Sequence, residues 1–213
     1  MNKVLLINGS PRPNGCTCTL LQEIGDTLTS EGIESELFHV GRDPLSDCLG
    51  CGFCKKTGRC SIDDSVNEIG KRLDEFDGIV VGSPVYFSGS TGQISSFLDR
   101  LFYVYHPKME GKVGVSVVSC RRGGSTAALE RLNQYFLYSN MIVVGSQYWN
   151  QVHGHTPEEV RKDLEGMQII RNLARNMAWI LKSIDCGRAS GLHLPEREQR
   201  ARTSIPELLR LAE

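Results

Sequence analysis

The sequence lacks the features that mark a membrane, secreted or nucleic-acid-binding protein. No apolar run reaches the roughly 18 residues that a membrane-spanning helix needs. The N-terminus, MNKVLLINGS, reaches a glycine loop too early for a signal peptide. The formal net charge is only −1, which gives no basic surface for nucleic acid. We therefore expect a cytoplasmic protein with neither a membrane nor a nucleic acid as its partner.

The motifs of several common enzyme classes are also missing. The loop after the first predicted strand has neither a Gly-x-Gly-x-x-Gly nor a Walker sequence, which argues against nucleoside triphosphates and dinucleotides held in the usual Rossmann way. No Ser/His/Asp set and no carboxylate pair stands at a predicted strand end, which argues against hydrolysis. The chain of 213 residues is expected to form one main domain, residues 1–184, and a tail, residues 185–213, with a short helix near 206–211.

Hydrophobic patterns predict five strands that alternate with five helices. The predicted strands span residues 4–8, 33–40, 77–82, 112–119 and 141–145. The predicted helices span residues 20–30, 63–74, 93–104, 126–138 and 157–184, and residues 146–156 are predicted to form a polar loop. Such alternation predicts a doubly wound α/β fold, a parallel sheet with helices on both faces. Ligands bind these sheets beyond the carboxyl ends of the strands, so the polar loops after strands one, three and four are expected to form one site.

The loop over residues 9–19 has the chemistry of an anion site. It joins a buried strand to a helix, and it offers the hydroxyls of Ser10 and Thr17, the guanidinium of Arg12 and the N–H groups of a helix start. A terminal phosphate such as that of FMN suits these groups. The alternative is a polar turn with an ordinary helix cap.

Half of the eight cysteines lie within residues 48–60, spaced Cys-x2-Cys-x2-Cys-x5-Cys. In a reducing cytoplasm, cysteines are thiols, metal ligands or redox groups more often than disulfides. Clustered thiolates favour an iron–sulfur cluster or a zinc ion. The set is too compact for the two separated Cys-x2-Cys pairs that zinc sites usually contain. The predicted ligands are Cys48, Cys51, Cys54 and Cys60.

Several motifs, in order along the chain, resemble the flavodoxin-like NAD(P)H-dependent FMN reductases. They are Gly-Ser-Pro-Arg-x-Asn-Gly-x-Thr from Gly9, Gly-Ser-Pro-Val-Tyr-Phe from Gly82, Asp99-Arg100, and Trp-Asn-Gln-Val-His-Gly from Trp149. With the four cysteines after strand two, the chain is similar to the iron–sulfur flavoprotein branch of that family. The resemblance implies a five-stranded sheet in the order 2-1-3-4-5.

The resemblance also implies roles for individual residues. Ser10, Arg12 and Thr17 would hold the FMN phosphate, and residues 119–124 would close over one edge of the flavin ring. The ring would lie against Pro84, Val85, Tyr86 and Phe87, and the closing loop would contribute Ser119, Arg121 and Gly123. Cys16 stands where the family usually has Asn, and Cys18 is also unusual. A thiol donates a weaker hydrogen bond than an amide, so either the helix N-terminus compensates or FMN binds less tightly.

The sequence leaves two interpretations open for several other residues. Arg121 and Arg122 would meet a flavin carbonyl or the phosphate of NAD(P)H, or form a solvated pair. His153 and His155 would contact substrate or a second subunit, or lie on the surface. Asp99-Arg100 is expected to make a structural ion pair, and Cys16 to be either a thiol of lowered pKa or a small buried residue.

The resemblance implies an FMN enzyme. NAD(P)H would be the co-substrate, and electrons would pass through FMN to a flavin, a quinone or another small acceptor, with a [4Fe–4S] cluster as a further carrier. A homodimer or homotetramer is expected. The alternative is a non-catalytic electron carrier or redox sensor that works between protein partners.

Overall fold

A parallel sheet lies at the centre of the computed structural model, which describes residues 2–198 and 201. Its strands are β1 (Lys3–Asn8), β2 (Glu34–His39), β3 (Gly78–Pro84), β4 (Val113–Cys120), β5 (Ile142–Val143) and β6 (Gln151–His153). Their order is β2-β1-β3-β4-β5, and β6 also pairs with β4. Every residue of β4 is buried, as expected for a central strand covered on both faces. The predicted α/β fold and strand order are confirmed.

Helices cover both faces of the sheet and form two separate cores. The helices are α1 (Cys16–Ser30), α2 (Phe53–Thr57), α3 (Ser65–Arg72), α4 (Gly92–Tyr105), α5 (Ser125–Tyr138), α6 (Pro157–Lys162) and α7 (Leu164–Ala189). Alternate residues of β1 enter opposite cores. Val4 and Leu6 pack with α1 and α7, whereas Leu5 and Ile7 pack with α3, α4 and α5. The unbroken apolar sequence of β1 follows from this burial on both sides.

The fifth strand position differs from the prediction. Only Ile142–Val143 pairs with the first half of β4, and Gln151–His153 pairs with its second half. Residues 146–156, predicted as a loop, therefore contain a strand. Asn150 fixes the connection between the two short strands, because its side chain donates to the Ser116 carbonyl at 3.2 Å and its carbonyl accepts from the Val118 N–H at 3.0 Å.

The last predicted helix is two helices, which Asp163 separates. The carboxylate of Asp163 accepts from the Gly166 N–H at 3.0 Å and so caps α7. Helix α7 then continues to Ala189, past the predicted end at residue 184. The residues after it fold back onto the turn before β4, where Arg197 pairs with Glu110. The predicted helix near residues 206–211 lies outside the described residues.

Among the helices of residues 2–198 and 201, none is both long and apolar enough to cross a bilayer.

Candidate functional site

Three loops meet at the carboxyl edge of the sheet, and hydrogen bonds join them. The loop after β1 is tied to β3, since the Gly9 N–H donates to the Gly82 carbonyl at 2.8 Å. The loop after β3 is tied to β4 by Val85, whose N–H donates to the Ser119 carbonyl at 3.0 Å. The buried hydroxyls of Thr17 and Ser119 lie 2.9 Å apart. The three polar segments singled out in the sequence thus form one continuous surface.

The loop after β1 is held by its own side chains. Asn8 accepts from the Ser10 N–H at 3.0 Å, and the Ser10 hydroxyl accepts from the Arg12 N–H at 3.1 Å. The loop ends at Gly15, which is the N-cap of α1. Among the described residues, no side chain caps this helix start, and its first turn contains no acid. The free N–H groups and the positive end of the helix dipole therefore point into the space in front of the first turn of α1.

A cleft of about 420 Å³ opens in front of this helix start. It is lined by Arg12, Asn14, Cys16, Arg42 and His155, among others. Two cations and a histidine at an uncapped helix start form an environment suited to an anion. The cleft therefore has the charge and the donors that a phosphate group needs.

Sequence reasoning did not place Arg42 at the site, and for His155 it left open a contact with substrate or a second subunit and a position on the surface. Arg42 follows β2, and its Nε donates to the Pro11 carbonyl at 2.7 Å. His155 lines the cleft, whereas the neighbouring His153 is held by Asp163, which accepts from the His153 N–H at 2.7 Å. Position gave a signal for Arg42, which closely follows the second predicted strand, whereas His155 follows β6, a strand that the sequence did not predict.

The predicted phosphate residues occupy different depths. Ser10 and Thr17 are buried, with their hydroxyls bonded inside the loop and to Ser119. Cys16 lines the cleft, and Cys18 is buried behind it. Burial raises the pKa of both thiols. Cys16 is therefore a protonated, weakly donating group and lacks the lowered pKa of an activated thiol.

The loop after β3 ends in a tight turn with unusual backbone geometry. Tyr86 and Gly89 exchange two backbone hydrogen bonds of 2.9 Å. Between them, Phe87 and Ser88 have φ angles of 50° and 63°, the left-handed region that non-glycine residues rarely adopt. Phe87 is fully exposed and Tyr86 half-exposed. The turn thus holds an aromatic ring out at the site edge at a conformational cost.

The loop after β4 packs against this turn. Gly124 has a φ angle of 90°, and a Cβ placed there would lie 2.7 Å from the Ser88 hydroxyl. Only glycine fits both the conformation and the contact. Arg121 and Gly123 are exposed on the same loop, beside the Tyr86–Gly89 turn. The residues predicted for the flavin ring are thus brought together on one open face.

The four clustered cysteines line a single small cavity, together with Arg100 and Tyr103. Gly50, Gly52 and Gly58 have φ angles of 63°, 70° and 69°, and these turns bring the thiols to one place. In the part of the chain that the structure describes, no three His, Cys, Asp or Glu side chains converge closely enough for one metal ion. Four thiols around a shared cavity suit a cluster with four irons, each taking one thiolate.

The predicted ion pair of Asp99-Arg100 has a different form. Arg100 pairs with Asp64, the N-cap of α3, at 2.7 Å. Asp99 instead accepts from the Tyr135 hydroxyl at 2.6 Å. Burial, assisted by that hydrogen bond, raises the pKa of Tyr135. Adjacent residues on a helix point in different directions, so the two charges serve different partners.

Comparison with known proteins agrees with this geometry. Residues 2–156 match the family described as NADPH-dependent FMN reductase. An iron–sulfur flavoprotein of Methanocaldococcus jannaschii is 36% identical over 192 residues, which cover 85% of this chain and 98% of that protein. One from Methanosarcina thermophila is 27% identical over 190 residues, which cover 87% and 98%.

A solved structure shares the fold. FerB, a flavoenzyme NAD(P)H:(acceptor) oxidoreductase from Paracoccus denitrificans, aligns with a TM-score of 0.65 at 15% identity, over 86% of this chain and 98% of FerB. The fold, the site and the sequence matches lead to one conclusion. This chain belongs to the NADPH-dependent FMN reductase family, in its iron–sulfur flavoprotein branch.

Proposed function

We propose that this chain is an FMN-dependent oxidoreductase that takes electrons from NAD(P)H and passes them to a small acceptor such as a flavin or a quinone. A [4Fe–4S] cluster on Cys48, Cys51, Cys54 and Cys60 is the further carrier in this proposal. One observation carries it: the anion cleft and the exposed aromatic turn lie on the same sheet edge, joined through β3 and β4. A phosphate and a flat ring on one ligand match these two features.

The cleft is the proposed phosphate site. The N–H groups at the start of α1 donate to the phosphate oxygens, and Arg12 supplies positive charge. Arg42 and His155, which also line the cleft, add further donors. Ser10 shapes the loop by accepting from the Arg12 N–H and keeps its own O–H as a donor for the phosphate, whereas Thr17 shares a hydrogen bond with Ser119.

The turn after β3 is the proposed ring site. Pro84 and Val85 lead into it, and Tyr86 and Phe87 supply aromatic surface. The N–H groups of Phe87 and Ser88, which the two Tyr86–Gly89 hydrogen bonds do not use, orient polar ring atoms. The loop containing Ser119, Arg121 and Gly123 closes the other edge and excludes water. Bound FMN would accept a hydride and release electrons singly, which no side chain of this site can do.

The segment between β2 and α3, which carries the four clustered cysteines and is called the cysteine loop, begins beside the phosphate cleft. Arg42, near its start, donates to the loop after β1, and Gln93 of α4 donates to the Asp43 carbonyl. The loop is thus fixed to both the predicted flavin site and the helix layer. The cavity of the four cysteines lies against Arg100 and Tyr103, farther along the same helix. In this proposal one connected segment borders the flavin site and carries the cluster.

Anaerobic purification followed by absorption spectroscopy and iron and sulfide analysis tests both cofactors. NADH or NADPH is then added, and bleaching of the flavin band within seconds supports the enzyme. A flavin that neither nucleotide bleaches, but that a reduced protein partner reduces, would identify the electron carrier instead. A colourless protein would contradict both functions.

We also propose a homodimer or homotetramer. Leu49, Tyr103 and Tyr138 are large exposed apolar side chains that line two adjoining cavities, and a contiguous apolar patch is typical of contact areas. Light scattering coupled to size-exclusion chromatography gives the oligomeric state directly. A monomer at micromolar concentration would contradict this part of the proposal.

A further inference from the structure

One of the four clustered cysteines is held differently from the rest. Arg100 donates from both Nε and Nη2 to the Cys60 sulfur, each at 3.3 Å. Asn67 binds the backbone of the same residue from both sides. Its Oδ1 accepts from the Cys60 N–H at 2.9 Å, and its Nδ2 donates to the Cys60 carbonyl at 3.0 Å. Cys60 therefore has a fixed backbone and a fixed partner for its sulfur.

The groups that hold Cys60 are themselves held in the core. Arg100 and Asn67 are each only 1% exposed. Asp64 binds the Arg100 guanidinium in a bidentate pair at 2.7 and 2.9 Å, and the Tyr105 hydroxyl donates to Asn67 at 2.9 Å. Helices α3 and α4 supply these residues and pack against the sheet. The geometry around Cys60 is set by the fold.

We propose that Asn67 and Arg100 are positioning residues that anchor Cys60 before a cluster is present, and that Arg100 raises the reduction potential of the cluster bound there. The part of this proposal that concerns the reduction potential rests on the proposed function. Reduction adds negative charge to a cluster, so a cation and two N–H donors at a ligand sulfur stabilise the reduced form more than the oxidised form. Because Arg100 itself is buried, solvent screens its interaction with the Cys60 sulfur less than it screens a pair on the surface.

The ion pair of Arg100 and Asp64 predicts that two substitutions shift the reduction potential in opposite directions. Arg100→Gln removes the cation and one or both N–H···S contacts, so the potential shifts to more negative values. Asp64→Asn leaves the cation uncompensated, so the potential shifts to more positive values, while the asparagine side chain still caps α3. General damage to the fold has no reason to move the two variants in opposite directions.

The chain offers a matched control. Arg59 is adjacent to Cys60 in sequence, but its side chain is half-exposed and lies over the Phe53 ring. Arg59→Gln removes the same charge from the same loop without removing a donor to sulfur. We expect a shift much smaller than that of Arg100→Gln. Arg100→Lys, which keeps the charge but loses the planar pair of donors, is expected to fall between Arg100→Gln and the native protein.

Anaerobic redox titration of the iron-loaded proteins, followed by electron paramagnetic resonance, measures these potentials. Opposite shifts for Arg100→Gln and Asp64→Asn support the inference. Equal potentials in variants that retain full iron and sulfide would overturn the tuning role and leave the proposed function intact. Native protein that binds no iron would overturn the proposed cluster and the tuning role together.

The anchor is tested without metal. In iron-free protein, amide hydrogen exchange measured by NMR is expected to be slower at Cys60 than at Cys51, because Asn67 holds the Cys60 amide. Asn67→Ala is expected to remove this protection while exchange in β1 and β4 stays slow. Equal exchange at Cys60 and Cys51 in the native sequence would overturn the anchor.

Discussion

At the scale of single residues, Phe87 and Ser88 show backbone strain placed at the site. Both have left-handed φ angles, which cost non-glycine residues about 1–2 kcal/mol each. Glycine would remove that cost at either position. The two residues differ in what their side chains present, since Phe87 is fully exposed at the predicted ring site and Ser88 contacts Gly124.

Substitution of each residue by glycine separates strain from function. Phe87→Gly and Ser88→Gly are each expected to stabilise the apoprotein, by up to about 1 kcal/mol after the greater chain entropy of glycine is subtracted. Only Phe87→Gly is expected to weaken FMN binding, because it removes aromatic surface. Urea unfolding and fluorescence titration with FMN measure the two effects. Unchanged FMN affinity in Phe87→Gly would contradict the assignment of the ring site.

At the scale of elements, β2 depends on charge more than on burial. It is an edge strand with no fully buried residue. Glu36 at its centre binds Arg72 of α3 at 2.7 and 2.8 Å and Lys3 of β1 at 2.8 Å. Hydrogen bonds from Arg72 and then from Lys3 lower the pKa of Glu36 from 4.5 to about 2. The network joins the edge strand to its neighbours.

This network predicts a pH dependence of stability. The folded-state pKa of Glu36 lies below its unfolded value, so its contribution is complete above about pH 4.5 and is lost as the pH falls through about 2. Glu36→Gln is expected to lower the free energy of unfolding at pH 7 by about 1 kcal/mol or less, since the pair is partly exposed. The difference from the native protein should vanish near pH 2. Glu34→Gln, on an exposed position of β2, is the control and should change little at either pH.

The start of α1 predicts the effect of charge on FMN binding. Cys16→Asn adds an amide donor in the cleft and is expected to tighten FMN binding by about 0.5–1.5 kcal/mol, up to roughly tenfold in Kd. Cys16→Asp has nearly the same shape but carries a negative charge, so it should weaken FMN binding. Riboflavin, which lacks the phosphate, is the control ligand. An equal change in riboflavin affinity would show that Cys16 does not face the phosphate.

At the scale of the whole molecule, the two apolar cores form without the side chains of the four clustered cysteines. Two apolar cores on opposite faces of the sheet hold the helices in place. None of the four clustered cysteines belongs to either core, and the cysteine loop contains only the short helix α2. The sheet therefore needs no metal to form.

Removal of iron is thus expected to leave the fold intact. Anaerobic treatment with a chelator should keep the far-ultraviolet circular dichroism and bound FMN, and lower Tm by no more than about 4 °C, the shift for roughly 1 kcal/mol in a chain of this size. A structural metal site would behave differently, because chelation unfolds such domains. Cooperative unfolding on chelation would contradict the separation of cores and loop.

The sequence by itself determined the elements whose signals are local. The apolar runs of β1, β3 and β4 predict buried parallel strands because both of their faces lie inside the protein. The order of the polar loops then predicts one site, since parallel strands end at the same edge. The spacing of the cysteines predicts their common cavity because the four residues lie close together along the chain.

Only the tertiary structure decided the features that join distant segments. The three residues of β6 carry no recognisable pattern and become a strand because β4 offers them unpaired backbone groups. Arg42 and His155 meet at the cleft because β2 and β6 end on the same edge. Arg100 reaches Cys60, 40 residues earlier, because α4 packs beside α3 in the core. Contacts of this kind depend on the packing of whole elements, which no local pattern encodes.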